Sequence, residues 1–321
     1  MADIFAYIKH ADGVAEDSAL ELMVAAKKID PAAKVMAVVT GTGANLDKVC
    51  KEMAAVYNAV WKIDNAALAY PNAEVVRKAL ANVLPADGIV LLSHDTFGMD
   101  LGPGLSVKMN STFVADIVGI EGVDGATLKI IRQEFSGQAS THVTCDISGG
   151  TVLNLRPGVF QPDGVKAGGD VVDKSGAAGD LSAKRKYLEM VAAEAGDVDI
   201  TKSEVLVSVG RGIEDQENIE LVFDLAKAMG ADVSCSRPIV DAKWLEKARQ
   251  VGTSGQTVKP KVYMAMGISG SFQHLGGIKG NPFIVAVNKN PKAPIFQVAD
   301  VGIEANILEF IPALTEAIGN L

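Results

Sequence analysis

The chain has 321 residues, of which 48% are hydrophobic and 21% charged, and 39 acidic against 30 basic residues leave a net charge of −9. At roughly 150 residues per domain, this length predicts two domains. The acidic balance argues against nucleic acid as a partner, and 5% aromatic residues are too few for a base-stacking platform. Glycine, at 32 residues, exceeds the usual share of about 7%, which is a first indication of close backbone approach to a nucleotide-like ligand.

The cysteines and histidines indicate neither disulfides nor a metal site. Cys50, Cys145 and Cys235 lie far apart and match no CxxC spacing, and the four histidines are scattered. We therefore expect a reduced, cytoplasmic protein. The N-terminus lacks a basic region and no apolar run approaches the roughly 18 residues that span a bilayer, so we expect neither a secretion signal nor membrane insertion.

The first half alternates short apolar runs with amphipathic stretches. Predicted strands are Ile4–Ile8, Val35–Val39, Ala59–Ile63 and Gly88–Leu92, with helices over Ser18–Ile29, after Gly43 and from about Asn72. This alternation is typical of βαβ units and predicts a parallel sheet. Four shorter strands joined by glycine-containing turns predict antiparallel additions to that sheet, at Phe113–Val118, Ala126–Arg132, His142–Asp146 and Thr151–Leu155.

The apolar content falls between Asp163 and Asp197, where glycines, serines and the run Lys184-Arg185-Lys186 accumulate. We expect a solvated loop and a surface helix before a domain boundary. This places an N-terminal α/β scaffold at residues 1–200 and a second domain at residues 201–321.

The second domain repeats the α/β pattern and predicts a Rossmann-like parallel sheet. Predicted strands are Val205–Val209, Asp232–Cys235, Val262–Met266, Phe283–Val287 and Ile295–Val298. Predicted helices are Gln216–Met229, with Ile219, Val222, Phe223 and Ala226 on its apolar face and Gly230 as its C-cap, a short glycine-rich piece after Met266, and about Asn306–Ile318, bent by Pro312.

The first strand of this domain ends in Gly210-Arg211-Gly212, which looks like the start of a dinucleotide fingerprint. Glu214 and Asp215 stand where the third glycine is required, and Ser236-Arg237 follows the next strand where an NAD site places an acidic residue. The pattern therefore favours phosphate or an electron-rich ring over ordinary NAD binding.

Three further polar segments follow predicted strands or precede them. Gln250–Gly255 is either a ligand loop or a polar turn, and Gly267–His274 forms a strand, Gly/Ser turn and helix start that suits an anion. Asn288-Lys289 ends another strand. Because open α/β sheets bind ligands at the carboxyl ends of their strands, we expect these segments and the arginines to converge on one rim. A lone histidine is more often packed in the core, but at this position we expect His274 to bind the ligand.

The ordered motifs of this domain closely resemble the electron-transfer flavoprotein alpha subunit. They are Gly210-Arg211-Gly212, Ser236-Arg237, Val251-Gly252-Thr253-Ser254-Gly255, Gly267-Ile268-Ser269-Gly270, Gln273-His274, Asn288-Lys289 and Pro294–Asp300. In the first domain the resemblance rests on Asp100-Leu101, Pro103, Ala115-Asp116 and Leu155-Arg156-Pro157-Gly158.

The resemblance implies FAD in the C-terminal domain and electron passage between partner proteins. It places Arg211, Ser236 and Arg237 beside the flavin, Thr253-Ser254 near its O4 and N5, Ser269 through His274 along the ribityl chain to N1/O2, and Asn288, Asn306 and Ile307 at the adenosine half. The full predicted binding set is Arg211, Ser236, Arg237, Gln250, Val251, Gly252, Thr253, Ser254, Gly267, Ser269, Gly270, Ser271, Phe272, Gln273, His274, Asn288, Asn306 and Ile307.

The resemblance also implies partners and a type. The first domain would dock an electron-transfer flavoprotein beta subunit carrying AMP or a second FAD, and redox partners would be acyl-CoA dehydrogenase-type flavoproteins or a quinone oxidoreductase. Thr253-Ser254 replaces a frequent Gln-Thr, which is similar to the flavin-bifurcating branch, and Asn306 replaces a frequent Asp. No catalytic triad is expected, because the cofactor performs the chemistry. The alternatives are a self-contained FAD- or NAD-dependent oxidoreductase and a non-catalytic nucleotide-binding or sensor module.

Overall fold

The computed structural model describes residues 3–134, 139–164, 166–189 and 198–320. The chain divides into two compact units, Met1–Glu189 and Met190–Leu321, which are called here the N-terminal and C-terminal units. Each is an α/β unit built on its own sheet, so the predicted fold class is confirmed.

The N-terminal unit contains a large sheet and a small hairpin. Its strands are β1 (Ile4–Ile8), β2 (His10–Ala11), β3 (Val14–Ala15), β4 (Val35–Gly41), β5 (Ala59–Asp64), β6 (Ile89–Ser93), β7 (Thr112–Asp124), β8 (Thr127–Glu134), β9 (Ala139–Asp146), β10 (Thr151–Leu155) and β11 (Asp170–Asp173). Its helices are α1 (Ser18–Ile29), α2 (Gly43–Ala54), α3 (Ala73–Val83) and α4 (Thr96–Met109).

Among the described residues, the strands of the large sheet lie in the order β11-β5-β4-β1-β6-β10-β7-β8-β9. Strands β11 through β7 are parallel, and β8 and β9 add the predicted antiparallel extension. We expected β10 to belong to that antiparallel extension. It lies instead between β6 and β7 and is parallel to both. All five residues of β10 are buried, as is typical of a strand whose sheet is covered on both faces.

Alternation along β1 builds a core on both faces of this sheet. Ile4, Ala6 and Ile8 pack with α1 and α2, whereas Phe5 and Tyr7 pack with α3 and α4. The helices therefore cover opposite faces, as right-handed βαβ crossovers require.

The expected loop after Asp163 contains a strand. β11 pairs with β5 at the sheet edge, although its Val171 and Val172 are 45% and 37% exposed. This strand is held by backbone pairing and buries no apolar face. The sequence therefore has no alternation of apolar residues that would predict it. The described residues 174–189 contain no α-helix, and residues 190–197 of the expected surface helix lie outside the described part of the chain.

The C-terminal unit has a parallel sheet of order β13-β12-β14-β15-β16. Its strands are β12 (Val205–Val209), β13 (Asp232–Cys235), β14 (Val262–Met266), β15 (Phe283–Asn288) and β16 (Val301–Glu304), and its helices are α5 (Ile219–Met229), α6 (Arg237–Asp241), α7 (Phe272–Leu275) and α8 (Ile307–Gly319). Helices α5 and α8 cover one face of this sheet, where they pack with Val207 and Val209 of β12.

Two local predictions in this unit are wrong. Ile295–Val298 is not a strand: Pro294–Gln297 forms a 3₁₀ turn in which buried Ile295 donates its N–H to the Ser269 carbonyl at 3.0 Å. A short apolar run does not distinguish a strand from a buried turn. Phe223 does not join the core either, since it is 38% exposed and lies under the Arg249 guanidinium at 5.4 Å.

Candidate cofactor site

The topology of the C-terminal sheet creates a crevice beside its central strand. The chain passes from β12 outward to β13 and then crosses to β14 on the other side of β12, so the strand order reverses between β12 and β14. Loops that leave the carboxyl ends of two such strands diverge, and ligands bind between them. A cavity of about 600 Å³ opens at this edge, which is within the usual range for cofactor sites.

Gly212 and Gly267 line the cavity, and together with Gly210 they form a backbone contact that is called here the glycine floor. A Cβ on Gly210 would lie 2.5 Å from the Gly267 carbonyl oxygen, and one on Gly267 would lie 2.8 Å from both the Gly212 Cα and the Ile307 Cδ1. Gly267 also has φ +64°, and Gly212 donates its N–H to the Gly267 carbonyl at 3.1 Å. Side chains at these positions would separate the β12 and β14 loops.

Most residues expected at the site line this cavity. They are Arg211, Ser236, Arg237, Gln250, Val251, Gly252, Thr253, Ser254, Gly267, Ser269, Ser271, Gln273, His274, Asn288, Asn306 and Ile307. Gly270 and Phe272 do not line it: Gly270 packs against Ile295, and Phe272 is 49% exposed on α7. These two positions alternate with cavity residues along one short turn, so the motif alone could not separate them.

His274 is the histidine of the cavity wall, and it is 5% exposed. Burial lowers its pKa to about 4, and the backbone of Val251 acts in the opposite direction. Its Nε2 lies 2.9 Å from the Tyr263 hydroxyl, and its Nδ1 is buried with no hydrogen-bond partner among the described residues. The ring is therefore neutral at physiological pH and has one polar atom left unsatisfied.

Three cations line the cavity, and two of them have acidic neighbours. The Arg237 Nε lies 3.4 Å from the Asp241 carboxylate on the next turn of α6, and the Lys289 Nζ lies 2.7 Å from Glu214. Arg211 is exposed at the start of the loop after β12. Side chains this exposed attract an anion at modest strength, so the arrangement suits a charged cofactor held mainly by many short-range contacts.

The loop from Gln250 to Gly255 faces the cavity and is held in place by the buried Gln250 side chain. Gln250 is 4% exposed and donates from Nε2 to the Ser254 Oγ at 3.0 Å, while Thr253 and Ser254 are exposed at the cavity. Gly252 has φ +145° and approaches the Gln273 carbonyl closely. The loop is thereby joined to the α7 turn, and its hydroxyls remain available as donors.

Helix dipoles contribute differently from the sequence-based expectation. The turn Gly267–Ser271 leads into α7, which has only four residues, so its dipole is small. The longer α8 begins at the cavity instead, where Asn306 caps it by accepting from the Leu308 N–H at 3.1 Å. Its 13 residues present a positive amino end to the site.

Asn288 has a structural use as well as a place in the lining. Its Nδ2 donates to the Ile268 carbonyl and its Oδ1 accepts from the Asn290 N–H, both at 2.9 Å. Asn288 therefore connects the loop after β14 to the end of β15. A bound ligand meets this side chain in a fixed orientation.

The prediction omitted eight lining residues. They are Gly212, Pro238, Asp241, Ile268, Lys289, Asn290, Ala293 and Pro294. Asp241 carries a detectable signal, because it stands four residues after Arg237 at helical spacing. Gly212, Ile268, Lys289 and Pro294 stand within the motifs quoted above, although the binding set left them out. Nothing in the residue types of Pro238, Asn290 and Ala293 distinguishes them.

At the corresponding point of the N-terminal sheet, charged side chains pair with one another. The order reverses between β1 and β6, and there Lys9 contacts Asp95 at 2.5 Å and Glu16 at 2.9 Å. Nearby, Arg156 makes a two-pronged ion pair with Asp116. Ion pairs that satisfy one another leave little for a ligand to bind.

The described residues contain neither a metal-binding cluster nor a membrane-spanning helix. No cluster of three or more histidine, cysteine or acidic side chains is arranged to hold a metal ion. No described helix combines the length and the apolar character needed to cross a bilayer.

The fold and the cavity define an α/β protein with a nucleotide-cofactor site on its C-terminal unit. Residues 4–194 match the electron transfer flavoprotein domain, and residues 199–279 match the electron transfer flavoprotein FAD-binding domain. The chain therefore belongs to the electron transfer flavoprotein family, and the resemblance to its alpha subunit is confirmed.

Curated relatives agree over nearly the whole chain. The chain is 30% identical to Protein FixB of Clostridium saccharobutylicum, covering 97% of this chain and 94% of that one. It is also 30% identical to the electron transfer flavoprotein subunit alpha of Thermoanaerobacterium thermosaccharolyticum, covering 99% and 98%. A solved thiamine diphosphate-dependent 4-hydroxybenzoylformate decarboxylase of Rhodococcus jostii aligns with a TM-score of only 0.24 and 7% identity, covering 98% of this chain and 59% of that one.

The cavity fits FAD, the cofactor of this family. The unsatisfied Nδ1 of His274 needs a hydrogen-bond partner, and the amino end of α8 and the cations suit a diphosphate. The hydroxyls and amides at the rim suit the carbonyl and nitrogen acceptors of a flavin ring.

Proposed function

We propose that this chain is the FAD-carrying alpha subunit of a heterodimeric electron-transfer flavoprotein. It would take electrons from flavoprotein dehydrogenases, such as acyl-CoA dehydrogenases, and pass them to a downstream acceptor such as a quinone oxidoreductase. The supporting observation is a cavity that carries binding groups on an FAD-binding family domain, with a histidine whose pKa of about 4 leaves it neutral.

The lining residues have roles that follow from their chemistry. FAD, when bound, supplies the electron chemistry. Thr253 and Ser254 donate hydrogen bonds, neutral His274 donates without bringing a charge, and Arg237 contributes positive potential moderated by Asp241. Donors and positive charge near the ring favour its electron-rich form and so raise its reduction potential.

The partner follows from the same proposal. The N-terminal domain, which we place at residues 1–200, would act as scaffold and docking surface for a beta subunit that holds AMP or a second FAD. Where the strand order of its sheet reverses, Lys9 and Asp95 pair with each other, which supports a scaffold role over a second cofactor site on this chain.

The experiment is coexpression of the chain with its beta subunit. We expect a yellow heterodimer with FAD that a flavoprotein dehydrogenase reduces and an external acceptor reoxidises. A colourless complex that binds no added FAD would falsify the proposal. A yellow chain that turns over a small substrate without any partner would instead support a self-contained oxidoreductase.

The finer proposal is that the heterodimer is of the flavin-bifurcating type. It is supported by the Thr253-Ser254 pair, whose Ser254 hydroxyl is held by Gln250 at the rim. An anaerobic titration should count two flavins per heterodimer and show direct reduction by NADH. One flavin and no reaction with NADH would identify a simple carrier.

A further inference from the structure

The backbone of the loop that carries Thr253 is fixed to the turn around α7. The Thr253 N–H donates to the Gln273 carbonyl at 2.8 Å, and the Val258 N–H donates to the Gly277 carbonyl at the same distance. The backbones of Gly252 and Gly277 are also in close contact, since a Cβ on Gly277 would lie 2.5 Å from the Gly252 Cα. The two segments, which both contribute to the cavity lining, therefore hold each other in one relative position.

Gly276, the residue before that contact, is required for space and not for conformation. Its φ of −59° and ψ of −21° are helical angles that any L-residue adopts. A Cβ there would lie 2.6 Å from the Thr253 Cγ2, whereas carbon atoms in contact are about 3.5 to 4.0 Å apart. The next atom, the Phe272 carbonyl oxygen at 3.1 Å, is the acceptor of the Gly276 N–H one helical turn back. The Thr253 methyl thus occupies the space that a side chain at position 276 would need.

The position of this methyl determines the direction of the Thr253 hydroxyl. Both groups are carried by Cβ, and a β-branched side chain has few staggered χ1 rotamers. Any other rotamer turns χ1 by about 120° and carries Oγ1 away from its present place. Thr253 is exposed and lines the cavity. With its methyl against Gly276, its hydroxyl is the side-chain group that remains for the cavity.

We propose that Gly276 is a positioning residue for Thr253: the space over its Cα holds the threonine methyl and so keeps the hydroxyl directed at the cofactor cavity. Gly276 itself does not line the cavity. An alanine there would clash with the methyl, and because the two segments are bonded together, the side chain would turn before the loop moved. The value of the hydroxyl to a flavin rests on the proposed function, whereas the rotamer is a property of the chain alone.

The first test is methyl NMR of the threonine-labelled full-length chain without FAD, in which three-bond couplings to Cγ2 report χ1. Thr253→Ser assigns the signal by removing it. We expect a single rotamer for Thr253 in the wild type and a different or averaged one in Gly276→Ala. An averaged χ1 in the wild type, or an unchanged rotamer in Gly276→Ala, overturns the proposal.

FAD affinity tests whether the rotamer matters at the site. Gly276→Ala should weaken FAD binding by roughly fivefold, the equivalent of one neutral hydrogen bond. Thr253→Ser keeps a hydroxyl and removes the methyl, so in this background Gly276→Ala should change the affinity by less than about twofold. An equal loss in both backgrounds would assign Gly276 to packing of the turn and overturn the proposal.

Gly277→Ala is the matched control, because its Cβ would meet the backbone of Gly252 instead of a side chain. It should weaken FAD binding both in the wild type and in the Thr253→Ser background, since a serine does not relieve a backbone clash. Rescue of Gly277→Ala by Thr253→Ser would show that the rescue is not specific to position 276, which counts against the proposal.

A further measurement keeps the outcomes separate. Should Gly276→Ala not fold, Thr253→Ser alone remains a test: without the methyl, χ1 of the serine should average over rotamers, and a single fixed rotamer overturns the proposal. A chain that binds no FAD but has one Thr253 rotamer, which Gly276→Ala changes, rejects the proposed function and not this inference. FAD binding together with an averaged Thr253 rotamer rejects only the inference.

Discussion

Arg237 combines a positive charge at the cavity with an acidic neighbour, Asp241, 3.4 Å away. We expect Arg237→Ala to keep FAD bound and to lower its reduction potential, because positive charge favours the electron-rich flavin. For a side chain that is 67% exposed the effect is about 1 kcal/mol, or roughly 40 mV for one electron. A redox titration of the flavin measures it.

The neighbouring carboxylate provides a control of opposite sign. Asp241→Asn should raise the potential, since it removes negative charge at the same place, and Lys227→Ala, an exposed cation on α5, should leave it unchanged. If Arg237→Ala behaves like Lys227→Ala, Arg237 does not lie beside the ring.

His274 gives the apoprotein a specific acid sensitivity. Its pKa of about 4 lies below the ordinary value near 6.5, so the unfolded chain binds more protons between these values and stability falls as the pH decreases through that window. The contribution amounts to about 3 kcal/mol at most. Urea unfolding of the C-terminal unit at pH 7.5 and pH 5 should show a smaller loss in His274→Gln than in the wild type. Equal losses would contradict the neutral, buried state of the ring.

The site residues were predictable to the extent that motif positions coincide with loop ends. Thr253, Ser269 and His274 stand where a strand-and-turn pattern places them, and the cavity includes all three. The pairing of His274 with Tyr263 was not predictable, because Tyr263 is a strand residue whose partner is determined by tertiary packing. Arg249 escaped notice for the same reason, being buried with Nη1 donating to the Val233 carbonyl.

At the scale of elements, contact between the β12 and β14 loops depends on Gly267. Gly267→Ala should destabilise the C-terminal unit by about 2 to 4 kcal/mol, from the positive φ and from contact with Gly212 and Ile307. FAD content after purification should fall as well. Gly319→Ala, with open space around its Cβ, is the control and should change neither stability nor FAD content appreciably.

The amino end of α8 offers a test of capping. Asn306→Ala removes the side-chain acceptor of the Leu308 N–H and should cost about 1 kcal/mol in chemical unfolding. Asn306→Asp retains an acceptor at that atom and should keep the stability of the wild type. Equal destabilisation by both changes would show that the cap is not what Asn306 contributes.

Elements with a buried face were predictable and those held by backbone pairing were not. Helices α1 and α5 and the buried strands β1, β12 and β14 follow from apolar periodicity and capping residues. β11 and β16 lie at sheet edges with exposed side chains, so the sequence lacks the alternation that identifies a strand. The position of β10 between β6 and β7 depends on topology, which local patterns do not encode.

At the scale of the whole molecule, separate cores predict separate responses to the cofactor. A ligand that binds one folded unit stabilises that unit by mass action. Calorimetry of the full chain should show two transitions, of which only the one from the C-terminal unit moves upward as FAD is added. Tryptophan fluorescence assigns each transition to a unit, since Trp61 belongs to the N-terminal unit and Trp244 to the C-terminal unit. A single transition, or an equal shift of both, would contradict this assignment.

The glycine floor of the cavity also determines when the site can form during folding. Gly210 and Gly212 are joined to Gly267 although β13 and the Gln250 loop intervene along the chain. Closing so long a loop is slow compared with forming a helix or a hairpin. Because residues of both loops line the cavity, the cofactor can bind only after β14 has docked on β12, which makes FAD a reporter of that docking step. A nascent chain that ends before Met266 has both arginines but no floor on which to hold the cofactor.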